Sequence, residues 1–153
     1  MKVTDFLGPE MIVADLVSKT KAGVLAELSR HLATRLVGVE PEILRKVLEE
    51  REQLASTAIG DGIAIPHGKL DAVGRLVGAL GRTCEGVEFE SIDGRPTHLV
   101  FMLVAPANST GVHLKALARL SRLFRDSDFR QRLMAAPDAA AMYQVIVNED
   151  AKY

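Results

Sequence analysis

Leu99 to Ala105 form an unbroken apolar run, Leu-Val-Phe-Met-Leu-Val-Ala, and no other stretch limits the fold so sharply. The run is far shorter than the roughly 18 residues that suggest a membrane span. Lacking polar residues at alternate positions, it does not suit a strand with one wet face. It suits a central strand covered on both faces, as in sheets with helices on either side. The flanking sequence offers the covers. From Thr20 the apolar spacing turns helical: Leu25, Leu28, Leu32 and Leu36 make one row, Thr20 stands as an N-cap and Gly38 as a stop. Pro41 suits the first position of a second helix. There Ile43, Val47, Arg51 and Leu54 advance by four, four and three, a spacing that predicts one buried face and aims Arg51 inward. A third helix begins near Ser109 or Thr110 with His113, Leu117, Leu120 and Phe124 in one row, so its first inward residue is a histidine. Two more helical stretches, near 126–135 and 138–147, carry Asp126 and Asp138 at their starts.

Segments near 57–66, 74–81 and 97–105 are rich in Ile, Val, Leu and Ala and punctuated by Gly and Pro, and they read as strands. Residues 10–16, with Met11, Ile12, Val13 and Leu16, fit a first strand or an apolar lead-in. Helices, then strands, then helices predict an α/β fold, a single-domain sandwich with a mixed central β-sheet flanked by α-helices. At 153 residues, with no linker or repeat, the chain reads as one domain over 1–153.

Charge narrows the partners. Nineteen Lys and Arg against 20 Asp and Glu give a net charge of -1, so no broad basic field invites nucleic acid. Arg119, Arg122, Arg125, Arg130 and Arg132 do cluster; they read as a solvated helical surface or as a docking patch for an acidic partner. No apolar stretch inserts in a membrane, and the opening MKVTDFLGPEM lacks the apolar core and cleavage pattern of a secretory signal. Cys84 is the only cysteine; it can form neither an internal disulfide nor a Cys-based metal cluster, and is expected to be a small buried residue in a reducing compartment. The cytoplasm is the expected location.

Three residues could do chemistry. His67 follows a short apolar run, between Pro66 and Gly68. Pro66 fixes its own φ and biases Ile65 toward an extended backbone, while Gly68 leaves room for a phosphate or another backbone. An imidazole there either hydrogen-bonds a turn or, being largely neutral at cytoplasmic pH, acts as a nucleophile toward phosphorus. His113, inward and near a helix N-terminus, either fills a polar gap in the core or helps to hold an anion. Arg51 either snorkels to water or grips phosphate oxygens with two parallel hydrogen bonds. Together they supply a nucleophile, an assisting imidazole and a fixed cation, the minimum for phosphoryl transfer by positioning and electrostatics. His31 and His98 have no spacing that implies a metal, a metal-dependent hydrolase built on His67 and His113 lacks a third ligand, and Gly60 with Gly62 does not make a dinucleotide fingerprint.

The stretch Glu52, six residues, Ile59-Gly60, two residues, then Ile63-Ala64-Ile65-Pro66-His67-Gly68 resembles the fructose/mannitol type of phosphotransferase enzyme IIA. The likeness extends from helix one through Leu99–Ala105 and the Val112-His113-Leu114 helix start to Tyr143-Gln144-Val145-Ile146. It implies that His67 is the phosphorylated histidine, His113 the second active-site histidine and Arg51 the active-site arginine. It also implies a donor phosphohistidine on the carrier HPr or its nitrogen-branch relative, NPr, and no metal or organic cofactor. The run from Leu54 to Lys69 looks most like the nitrogen-related regulatory branch, and the chain has neither a membrane span nor a IIB cysteine motif. The expected function is therefore a regulatory phosphocarrier. The alternatives are a sugar-specific IIA passing phosphate to a IIB cysteine, or a IIA-like interaction module without chemistry.

Overall fold

A computed structural model describes all residues, 1–153. Its elements in chain order are β1 (Ile12–Val13), α1 (Lys21–Ala33), α2 (Pro41–Leu54), β2 (Ala58–Gly60), β3 (Ile63–Ala64), β4 (His67–Lys69), β5 (Val77–Val87), β6 (Thr97–Ala105), α3 (Thr110–Phe124), α4 (Ser127–Ala135) and α5 (Ala139–Asp150). The apolar run is the middle of the sheet, as its composition predicts. β6 pairs antiparallel with β5 along one edge, while its other edge is shared by two short parallel strands, β3 beside Leu99 and Val100 and β4 beside Leu103 to Ala105. β1 extends the sheet beyond β5 in parallel, and β2 extends it beyond β3 in antiparallel.

Every residue from Leu99 to Ala105 is buried. Successive strand side chains point to opposite faces, so both faces of β6 are covered. Adjacent residues of β4 identify the covers. A Cβ on Gly68 would stand 2.9 Å from Val47 of α2, whereas Lys69, one residue on, bonds Thr110 of α3 at 2.9 Å. α2 and α3 therefore lie on opposite sides of the same short strand. The architecture is the expected mixed sheet between helical layers.

The helix starts follow local chemistry. Thr20 caps α1 by accepting from the Gly23 N–H at 3.0 Å, Asp126 accepts from Asp128 and Phe129, and Asp138 accepts from Ala141 at 2.8 Å. α1 ends at Ala33, earlier than the Gly38 stop, with turns between them.

Several expectations are corrected. The buried row of α2 is Leu44, Leu48 and Glu52; Ile43 is 54% and Leu54 82% exposed, so Arg51 sits on a half-buried shoulder rather than on the inward face. The 57–66 segment is not one strand. Gly60, Asp61 and Gly62 all take positive φ (95°, 57° and 78°), which turns the chain between β2 and β3. β5 runs past Gly81 to Val87. Cys84, near its end, is exposed rather than buried. In the arginine cluster Arg122 and Arg125 are exposed, as a solvated helical surface implies, and most of its members also make contacts within the molecule. Arg119 pairs with buried Asp150 at 2.8 Å, Arg132 with Asp128 and buried Glu149 at 2.9 Å each, Arg130 donates to the Phe124 and Arg125 carbonyls, and Arg122 lies 4.7 Å above the Tyr153 ring.

The sequence gives no warning of Arg82. Only 4% exposed in β5, it has no carboxylate partner. It donates instead to the carbonyls of Ala14 (3.0 Å), Leu133 (2.9 Å) and Ala136 (2.6 Å), and the last two belong to the negative end of α4. That guanidinium ties α4 to the sheet.

Candidate active site

The site is assembled by β4 and the two helices that flank it. Pairing with Leu103 places His67 at the start of β4, immediately after Pro66, whose carbonyl accepts from the Leu103 N–H at 2.9 Å. His67 Nδ1 lies 2.8 Å from the Ile65 carbonyl oxygen. A carbonyl can only accept, so Nδ1 carries the proton and Nε2 keeps its lone pair. Both readings offered by the sequence meet here: the ring hydrogen-bonds the turn, and that bond frees the other nitrogen.

His113 faces this ring. The two ring centroids are 5.5 Å apart at 82°, edge to face. His113 is 5% exposed, and its Nε2 is buried without a hydrogen-bond partner. Such an orphan costs stability unless something else satisfies it, which makes this nitrogen the most informative atom of the site. Burial, with the charges of His67 and Lys69 adding to it, pushes the His113 imidazole down to about 4, so it is neutral at pH 7. His67 is also lowered, chiefly by burial. The Ile65 carbonyl and the Glu52 charge oppose that shift, and the Arg51 cation reinforces it. The structure thus brings His67, His113 and the Arg51 charge together as the sequence predicts. Arg51 Nη1 donates to the Ala55 carbonyl at 3.0 Å, which leaves the rest of its fork unbonded.

Gly68 does not open the site to a phosphate. It lets α2 approach β4, because Val47 occupies the space a Cβ would need. This close approach brings the end of α2, with Arg51, up to the His67 strand. His113 is not one of the helix's free donors, since its N–H bonds the Ser109 carbonyl at 2.9 Å. The histidine acts through its ring. His31 and His98 stand apart, bonded to the Glu10 and Thr83 carbonyls, and no group of three or more His, Cys, Asp or Glu could hold a metal.

Two charged neighbours carry more weight than the sequence reading assigned them. Lys69 shares a strand face with His67, as residues two apart do, and its ammonium bonds Thr110 one turn before His113. Glu52 is 7% exposed beneath Arg51. A signal for it existed: an acid that continues the four-residue row of Leu44 and Leu48 is out of place on an apolar face.

Residues 5–149 match the family described as phosphoenolpyruvate-dependent sugar phosphotransferase system, EIIA 2. The chain is 43% identical over 146 residues to a nitrogen regulatory protein of Bradyrhizobium diazoefficiens, covering 95% of each. It is 37% identical over 150 residues to the fructose-specific EIIABC component of Bacillus subtilis, of which it spans 24%. The crystal structure of nitrogen regulatory protein IIA-Ntr from Neisseria meningitidis matches with a TM-score of 0.88 at 33% identity, covering 94% of this chain and 98% of that one. With a mixed sheet that sets two imidazoles edge to face beside an arginine, and with nearly the whole sequence matched, this chain belongs to the EIIA 2 family of the phosphoenolpyruvate-dependent sugar phosphotransferase system.

Proposed function

We propose that the chain, a single IIA domain over 1–153 acting in the cytoplasm, is a phosphocarrier that takes a phosphoryl group on His67 and serves as a nitrogen-related regulatory IIA. The observation that carries this reading is the polarity of the His67 ring. Its Nδ1–H is held by the Ile65 carbonyl at 2.8 Å, so the Nε2 lone pair is the free nucleophile. In the reaction, Nε2 attacks the phosphorus of a phosphohistidine on an HPr- or NPr-type donor, in line with the bond that breaks. The P–N bond to the donor ring opens as the new P–N bond forms, and the donor imidazole leaves with the electron pair. Arg51 and His113 stabilise the equatorial oxygens, His113 through the Nε2 that has no other partner. No metal or cofactor takes part. The product carries roughly two added negative charges, enough to change which protein docks around His67.

Intact mass measured after incubation with enzyme I, an HPr-type carrier and phosphoenolpyruvate tests this. An acid-labile gain of one phosphoryl group in the wild type and none in His67→Ala is expected. Full labelling of His67→Ala refutes the assignment, and no gain with several carriers favours a binding module. The likeness to the fructose-specific relative supports a second reading, a sugar-transport IIA that hands phosphate to a IIB cysteine. Rescue of growth on fructose or mannitol in a strain lacking its own IIA decides for it.

A further inference from the structure

Glu52 is the first residue of the histidine-containing stretch, yet the transfer chemistry does not use it. Its buried carboxylate is fully engaged. Oε2 accepts from Lys21 Nζ at 2.8 Å and from the Thr57 N–H at 3.2 Å, while Oε1 accepts a short bond from the Thr57 hydroxyl. Lys21 in turn sits 5.1 Å over the Phe89 ring. Stability is a weak reason for an ion pair here. A leucine would continue the row of Leu44 and Leu48, and a buried pair seldom outperforms apolar packing of the same volume.

The bonds lead to the site. Thr57, held by Glu52, offers its carbonyl to the Ile65 N–H at 3.0 Å, and the Ile65 carbonyl holds His67 Nδ1 at 2.8 Å. Two residues, Thr57 and Ile65, thus join the carboxylate to the proton that selects the reactive nitrogen. On the other side, Arg51 precedes Glu52 in the last turn of α2 and bonds Ala55, within the segment that Glu52 fastens at Thr57. We infer that Glu52 is a positioning residue for phosphoryl transfer, its one buried carboxylate fixing the placement of both the His67 ring and the Arg51 guanidinium. The inference rests on His67 being the phosphoryl acceptor. A link of this length matters because a misplacement near 1 Å, even from a change remote from the chemistry, costs on the order of a hundredfold in rate.

Glu52→Gln keeps the volume and one acceptor oxygen but removes the charge. Two readouts separate positioning from mere folding. In labelling with enzyme I, an HPr-type carrier and phosphoenolpyruvate, kcat is expected to fall roughly 10- to 100-fold while KM for the carrier stays unchanged, because the docking surface is intact. In the unphosphorylated protein, long-range 1H–15N spectra are expected to show His67 losing its single Nδ1–H tautomer and titrating at lower pH. The Arg51 charge then acts on it without the opposing Glu52. Wild-type kcat together with an unchanged His67 tautomer and titration in folded Glu52→Gln overturns the inference. Should Glu52→Gln not fold, Thr57→Val, which removes only the hydroxyl link, decides by the same two readouts. A slower kcat with a disturbed tautomer supports the inference, and wild-type behaviour overturns it. If the wild type takes no phosphate from any carrier, the phosphocarrier reading fails while the spectra still decide how His67 is positioned.

Discussion

Acid is expected to weaken the fold through His113, and the size of the effect follows from its surroundings. The ring is 5% exposed and packed against His67, with Nε2 unbonded, and burial lowers it from 6.5 to about 4. Between those values the unfolded chain binds a proton that the folded protein refuses. The stability associated with neutral His113 is therefore complete above pH 6.5 and is lost as the pH falls through about 4. At 1.36 kcal/mol per pH unit, the interval corresponds to about 3 kcal/mol, a sizeable part of the 5–15 kcal/mol typical of a domain. Urea unfolding of the wild type and of His113→Gln, measured at steps from pH 7 to 4, isolates the term. Glutamine does not titrate, and contributions from distant carboxylates cancel in the difference. On acidification the gap between the two curves is expected to move by about 3 kcal/mol in favour of the variant. Curves that stay parallel over the whole range would refute the argument, as would His113 ring resonances that titrate near 6.5.

Gly68→Ala puts a methyl group 2.9 Å from Val47 Cγ1 and 3.5 Å from Leu48, so α2 must retreat from β4. A loss of about 1–3 kcal/mol in thermal or urea unfolding is expected, with slower phosphoryl acceptance because Arg51 moves with the helix; unchanged stability contradicts it. Arg82→Met leaves the Ala14, Leu133 and Ala136 carbonyls without their donor. The expected cost is about 3 kcal/mol, read by urea unfolding, and a change below about 0.5 kcal/mol would show that water replaces the guanidinium.

Much of the fold is legible because its signals are local. The helix caps at Thr20, Asp126 and Asp138 need only a side-chain oxygen within a few residues of free N–H groups, and the central strand needs only an unbroken apolar run. His67 is legible for a similar reason, since Pro66 and Gly68 set its backbone. The second helix misled for a reason of geometry. Rows stepping by four exist from both Ile43 and Leu44, and spacing alone does not say which one faces the sheet. Packing chose Leu44, Leu48 and Glu52, burying the acid and leaving Arg51 at the rim. Arg82 and Cys84 lie in the same strand with opposite fates, one buried among carbonyls and one exposed, which depends on what packs on that edge.

The sequence by itself determined the central strand, the order of elements and the three candidate residues, because periodicity, caps and motif spacing act within a few residues. Only the tertiary structure decided which nitrogen of His67 is free, that His113 is neutral and unpartnered, and that Glu52 connects Lys21 and Thr57 to the site. His113 meets His67, and Lys21 meets Glu52, across tens of residues of sequence, and even the short-range bonds of His67 to Ile65 and of Glu52 to Thr57 depend on side-chain directions and desolvation that exist only after the layers have packed.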